Sequence, residues 1–155
     1  MNIVMVISSM NLGGAQRVVS IMCNYWVKNG HNVTLISTFL GVKRNYYRLD
    51  DGVKLRYIKD CVHSRRVSPI VLLKKIQTLR KMINEENPDM IISFLTRINV
   101  ATILSTIGMN IPIIVSDRNY PPLRGVPFSL GFLQWIYRWI FSKANLLVVQ
   151  TEESM

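Results

Sequence analysis

Residues 1–28, MNIVMVISSMNLGGAQRVVSIMCNYWVK, contain the pattern on which the rest of the chain depends. Ile3-Val4-Met5-Val6-Ile7 is an unbroken apolar run bounded by small and polar residues, as expected of a strand buried on both faces. Ser8 to Gly14 then interrupts it, and from Ala15 the apolar residues Val18, Val19, Met22 and Trp26 recur at helical spacing. Strand, glycine turn and helix follow in that order. In a parallel sheet such a turn lies at the carboxyl end of its strand, where paired glycines admit a ligand to the backbone and the free N–H groups of the helix favour an anion. On a glycine pair alone, a tight connection with no ligand is the favoured reading.

Working outward, Gly30 stops the helix and Asn32 to Thr38 reads as a second strand, which completes a βαβ unit. Residues 39–51 form a loop in which Lys43, Arg44 and Arg48 alternate with Tyr46 and Tyr47, a composition suited to stacking on bases or sugars but ordinary for a solvated loop. Val53 to Ile58 alternates strictly, as expected of an edge strand with one wet face. Beyond a basic connection with His63, Arg65 and Arg66, Ser68-Pro69 supplies a cap and first position for a helix with Leu72, Ile76, Leu79 and Ile83 on one stripe. Lys74, Lys75, Arg80 and Lys81 make that helix strongly basic and a candidate for contact with an anionic membrane face.

Met90 to Leu95 and Pro112 to Asp117 read as further buried strands, with a helix through Val100, Ile103, Leu104 and Ile107 between them. A helix over about Leu130 to Phe141 and a strand over Asn145 to Gln150 complete the pattern; Phe132, Trp135, Ile136, Trp139 and Ile140 are expected to pack on the sheet, the alternative being membrane docking through Trp135, Tyr137, Arg138 and Trp139. The alternation predicts an α/β fold: a doubly wound parallel sheet of six strands in the order 3-2-1-4-5-6, with helices on both faces. Its ligand crevice lies beyond the carboxyl ends of the strands. Three polar clusters converge there, Gly13-Gly14-Ala15-Gln16, Thr96-Arg97 and Ser116-Asp117-Arg118-Asn119.

The chain has 155 residues, enough for one domain with a sizeable core, and 49% of them are apolar. A formal charge of +10 favours an anionic partner: nucleic acid, a membrane face or a phosphorylated substrate. Cys23 and Cys61 are the only cysteines, so no disulfide framework or metal spacing is visible, and a reducing compartment is expected. The apolar segment Val126 to Val149 is interrupted by Arg138 and Lys143 and is not a bilayer span. A nicotinamide cofactor is disfavoured, because the first loop lacks the G-x-G-x-x-G spacing and no acidic residue precedes Asp50. The G-x-x-x-x-G-K-[ST] phosphate loop is absent too.

Three N-terminal segments, Asn2-Ile3-Val4-Met5-Val6-Ile7, Leu12 to Val19 and Gly30 to Ile36, resemble the opening of retaining GT-B glycosyltransferases of the family-4 type. Asp89 to Leu95, Ser116-Asp117-Arg118-Asn119-Tyr120-Pro121 and Val148-Val149-Gln150-Thr151 are similar to later segments of the same domain, so the resemblance spans nearly the whole chain. It implies a Rossmann-like N-terminal, acceptor-side domain over residues 1–155, facing a C-terminal donor-binding domain whose paired-glutamate motif has no match here. A helix start at Thr151, with its threonine cap and acidic first turn, gives the same expectation of an incomplete protein.

Carried over by position, the resemblance implies that Gly13 and Gly14 meet the donor phosphate. It implies acceptor contacts from Gln16, Asp117, Arg118 and Asn119, to which the strand-end position of Thr96 and Arg97 adds those two. Gln16 stands where many relatives carry glutamate, and Asp117 replaces a glutamate; an ion pair between Asp117 and Arg118 is the competing account of those two. No catalytic base and no metal ligand is assigned. The expected substrates are a nucleotide sugar, UDP-linked and bound as donor with no separate cofactor, and a glycan or lipid-linked glycan of surface polysaccharide biosynthesis such as capsule or O-antigen. The setting is bacterial and cytoplasmic, peripheral on the inner face of the cytoplasmic membrane, with the isolated chain inactive. The rival reading is a non-catalytic module for an anionic partner such as nucleic acid, with binding that would fall steeply with salt.

Overall fold

A computed structural model describes residues 1–38, 46–58, 69–117 and 131–149, the first four residues of the last segment without their side chains. In chain order the elements are β1 (Asn2–Ile7), α1 (Gly14–Lys28), β2 (Asn32–Ser37), β3 (Val53–Tyr57), α2 (Pro69–Glu86), β4 (Met90–Phe94), α3 (Thr96–Thr106), β5 (Ile113–Asp117), α4 (Gly131–Phe141) and β6 (Leu146–Val149). The strands form one sheet in the order β3-β2-β1-β4-β5-β6, and every neighbouring pair is parallel, as the alternation of patterns requires.

Strand β1 is the hinge of the core. Its residues Ile3 to Ile7 are all almost fully buried, and the two-residue period of a strand divides them between two apolar layers. Ile3, Met5 and Ile7 meet Ala15, Val19 and Cys23 of α1 on one face. Val4 and Val6 lie on the other, among Leu79, Met82 and Ile83 of α2, Ile98 and Ile103 of α3 and Ile140 of α4. The α1 stripe foreseen in the sequence thus covers one face and the three later helices cover the other. Gly30, at φ +79°, ends α1 in a conformation that strains other residues, and it is followed by the His31 N–H donating to Trp26 O at 3.0 Å.

Strand β3 is the edge strand foreseen, but its wet face is not bare. Arg56 reaches the C-terminal turn of α2, with Nη1 2.6 Å from Glu86 Oε1 and Nη2 2.7 Å from Glu85 Oε2. Lys54 Nζ and the Thr34 hydroxyl donate to Glu86 as well, at 2.8 and 3.0 Å. Burial by itself would raise the Glu86 pKa, but hydrogen bonds from Lys54, Arg56 and Thr34 outweigh it and hold the carboxyl below its ordinary value.

Two expectations are corrected. Leu72 is not in the buried stripe of α2: it is 53% exposed, beside Ile70 and Leu73, because only the half of the helix from Leu79 onward is buried against the core. Trp135 and Trp139 do not pack on the sheet, being 62% and 46% exposed. They share a helical stripe, but the inward stripe of α4 is one residue farther round, at Ile136 and Ile140. Strand β6 is an edge, with Leu146, Leu147 and Val148 exposed. Ser68, the basic connection with His63, Arg65 and Arg66, Lys43 and Arg44, the Phe132 side chain and everything from Gln150 onward lie outside the described residues.

Candidate active site

The parallel order brings the carboxyl ends of β1, β4 and β5 side by side. After β1 the chain enters the glycine loop, anchored by buried Met10, whose carbonyl accepts the Tyr46 N–H at 2.9 Å. Ser37 and Thr38 hold its start from β2: the Ser37 hydroxyl donates to Ser8 O at 3.2 Å, and the Thr38 N–H to Ile7 O at 2.9 Å. Helix α1 begins with no side-chain cap and no acidic residue in its first turn, so its N-terminal dipole is not countered by a carboxylate of its own.

The two glycines differ. The Gln16 side-chain amide folds back over Gly13 and occupies the space where a β-carbon would stand, whereas a β-carbon on Gly14 would meet nothing within 4 Å. The open approach to the backbone is therefore at Gly14, and Gln16 is part of the loop's own packing.

The strand-to-helix junction after β4 is one residue long. Leu95 takes φ 76° and ψ 131°, and α3 starts at Thr96, whose hydroxyl does not cap the helix. It turns instead to the end of β5 and donates to Asp117 Oδ1 and Oδ2 at 2.9 and 3.0 Å. Arg97, next on α3, is exposed at the same edge. Arg118 and Asn119 fall outside the described residues, so the ion pair between Asp117 and Arg118 does too.

Under this pair lies a polar cluster that was not singled out from the sequence. Asn99 is fully buried; it accepts from the Ser93 hydroxyl at 2.8 Å and donates through Nδ2 to Ser116 O at 3.1 Å. The signal for it was present, since Ser93 and Ser116 are polar residues inside otherwise apolar strands.

The four basic residues assigned to a membrane face do not behave alike. Lys74 and Lys81 are exposed and Lys75 is half-buried, with Lys81 Nζ 4.0 Å from Glu85 Oε1. Arg80 is engaged within the fold, its Nη1 donating to Ser105 O at 2.9 Å and Ile107 O at 2.8 Å at the end of α3.

The cavities of the described surface are elsewhere. One, of about 320 Å³, opens at the amino-terminal edge of the sheet between Asn2, Asn32, Thr34, Lys54 and Glu86, where the carboxylate is already held by its own partners. The strand-end crevice is a better site, because helix N-termini, an open glycine and polar side chains meet there. Among the described residues no three of His, Cys, Asp and Glu come together to hold a metal, and no helix is long and apolar enough to cross a membrane.

The model of Glycosyltransferase Family 4 matches residues 12–154. A curated relative from Campylobacter jejuni subsp. jejuni serotype O:2 is 32% identical over 123 residues, covering 77% of this chain. It is the GalNAc-alpha-(1->4)-GalNAc-alpha-(1->3)-diNAcBac-PP-undecaprenol alpha-1,4-N-acetyl-D-galactosaminyltransferase, and the match spans 33% of its length. Among solved structures, MurG of Acinetobacter baumannii superimposes on 100% of this chain and 42% of its own with a TM-score of 0.70, at 13% identity. Apo UGT2 of Phytolacca americana covers 97% of this chain and 46% of its own with a TM-score of 0.61, at 10% identity. At such identities these structures establish the fold alone, a Rossmann-like α/β domain.

Proposed function

The chain belongs to Glycosyltransferase Family 4, and we propose that it is the acceptor-side domain of a two-domain retaining enzyme that moves a sugar from a UDP-linked donor onto a lipid-linked glycan of surface polysaccharide biosynthesis. The observation that carries this reading is the 32% identity to a transferase named for an undecaprenol-linked acceptor. The domain's share of the work is binding and orientation. A phosphate oxygen of the donor approaches the backbone at Gly14, where the N-terminus of α1 lowers the cost of charge building on the leaving group. Thr96, Arg97 and Asp117 form the acceptor half of the crevice, and Gln16 packs over Gly13 in the donor loop. Chemistry waits on the second domain, so the isolated chain binds without transferring.

Attachment to an anionic membrane fits the same reading. Helix α2 leaves the carboxyl end of β3 and returns to the amino end of β4, so its first turns stand at the crevice edge. There Ile70, Leu72 and Leu73 are exposed beside Lys74, a combination suited to the headgroup region. The test is transfer by the purified two-domain enzyme from UDP-N-acetylgalactosamine, and from other UDP-sugars, to an undecaprenyl-diphosphate-linked oligosaccharide. Product with the anomeric configuration of the donor is expected; no product from any UDP-sugar, or an inverted one, overturns the proposal.

A further inference from the structure

We propose that Asn99 is a positioning residue for the acceptor subsite, acting through the backbone of Leu95 to aim Thr96 at Asp117. The inference rests on the proposed function and on the junction between β4 and α3. Leu95 is one of two non-glycine residues among those described with positive φ, and at φ 76° and ψ 131° a branched side chain is strained. Such a conformation persists only where its surroundings over-determine it, and it concentrates where geometry serves function.

The surroundings here are specific. Ser116 O, paired in register with Phe94, receives the Leu95 N–H at 3.1 Å and the Asn99 Nδ2–H at 3.1 Å. The Leu95 carbonyl accepts the N–H groups of Ile98 and Asn99, each at 2.9 Å. Ser93, one residue before Phe94, fixes the other end of the Asn99 amide at 2.8 Å. Asn99 therefore ties both strand ends to the first turn of the helix, from a site with no exposure to solvent. The compact junction puts Thr96 at the first position of α3 rather than a residue later, which is what brings its hydroxyl to the Asp117 carboxylate. An ordinary connection with a longer loop would carry the same helix without that contact.

The test reads the Asp117 carboxyl carbon resonance in the 155-residue chain with 13C-labelled aspartate, taking Thr96→Val as the reference for loss of the hydroxyl bond. Ser93→Ala/Asn99→Ala removes both partners together, so no hydroxyl is left stranded. Although neither residue is bonded to the Asp117 side chain, the resonance is expected to move most of the way to the Thr96→Val position. Adding Leu95→Gly, which adopts positive φ without strain, is expected to return it toward wild type. A wild-type resonance in the folded double variant, or no recovery with Leu95→Gly, overturns the proposal. If the double variant does not fold, Ser93→Ala alone is read in the same way, with a partial shift expected and no shift overturning.

In the two-domain enzyme the same variants should raise the acceptor KM about tenfold with kcat within about a factor of two, the signature of lost binding shared by ground and transition states. An unchanged acceptor KM in a variant with the shifted resonance overturns the positioning role. The resonance reports on the junction whether or not sugar is transferred, so failure of the proposed function, seen as no product from wild type, is distinct from failure of this inference.

Discussion

The Thr96 hydroxyl donates to both carboxylate oxygens of Asp117, at 2.9 and 3.0 Å, and so joins the start of α3 to the end of β5 across the mouth of the crevice. The carboxylate is thereby oriented by a neutral donor from the first turn of α3. Thr96→Val preserves shape and removes only that donor. A hydrogen bond to a charged group contributes about 1.5–3 kcal/mol, so transfer by the two-domain enzyme should fall about 10- to 100-fold in kcat/KM. Because both residues are half-exposed, melting should change by only a few degrees. Calorimetry and initial rates on the same preparation check both halves; full activity would remove the pair from the acceptor site.

Gly14 gives the second prediction. A β-carbon there meets nothing within 4 Å, so Gly14→Val should fold normally while its side chain blocks approach to the backbone at the start of α1. Transfer should drop by at least about 100-fold, the scale of losing one well-placed backbone donor at a developing charge. Circular dichroism should show unchanged secondary structure and melting. Near-normal rates would make the glycine pair a tight connection and nothing more.

Glu86 gives a pH dependence of stability. Its carboxyl is held below the ordinary value, 4.5, by Lys54, Arg56 and Thr34. A depressed folded pKa contributes stability that is fully present above the unfolded value and is lost as pH falls through the folded one. The melting difference between wild type and Glu86→Gln should therefore be large near neutrality and shrink as pH falls below the ordinary carboxyl value of 4.5. With the Glu86 side chain only 10% and that of Arg56 24% exposed, breaking the pair should cost about 2 kcal/mol at neutral pH. A difference that stays constant from neutral to acid would mean that Glu86 is not the group titrating.

The fold was legible because its signals are long and redundant. Five strands are short, largely apolar runs and β3 alternates, the helices carry apolar positions at helical spacing, and the parallel crossover rule then leaves the observed order, β3-β2-β1-β4-β5-β6. The strand-end site was legible at the level of segments, since Gly13-Gly14, Thr96-Arg97 and Asp117 stand where the topology puts a crevice. What the sequence did not reveal depended on rotation and on contacts between distant residues. Trp135 and Trp139 have helical spacing, but spacing does not say which stripe faces inward, and Ile136 and Ile140 won that position. Arg80 looked like its neighbours on α2 until the end of α3, some 25 residues away in sequence, supplied carbonyls for it. Asn99 joins Ser93 to Ser116; the two serines within strands were the visible signal, but their shared partner on α3 was not.

The last prediction follows from that division of α2. Lys74 and Lys81 are exposed, Lys81 beside Glu85, while Arg80 satisfies Ser105 O and Ile107 O. The exposed Ile70, Leu72 and Leu73 occupy the first turns, at the crevice edge, whereas exposed Trp139 lies in the last turns of α4, toward the opposite edge of the sheet. Docking through α2 would present the crevice to a lipid-linked acceptor; docking through Trp139 would turn it away. Vesicles rich in phosphatidylglycerol should therefore bind the protein reversibly, and salt should weaken the binding, since each basic residue near the surface adds about 1 kcal/mol. Changing Lys74 and Lys81 to glutamine, or Ile70, Leu72 and Leu73 to serine, should reduce co-sedimentation at least about tenfold. Arg80→Gln should also lower melting by a few degrees, because its guanidinium ties α2 to the end of α3. Equal binding to neutral and anionic vesicles, or loss of binding on Trp135→Ala/Trp139→Ala alone, would overturn the assignment of this surface to α2.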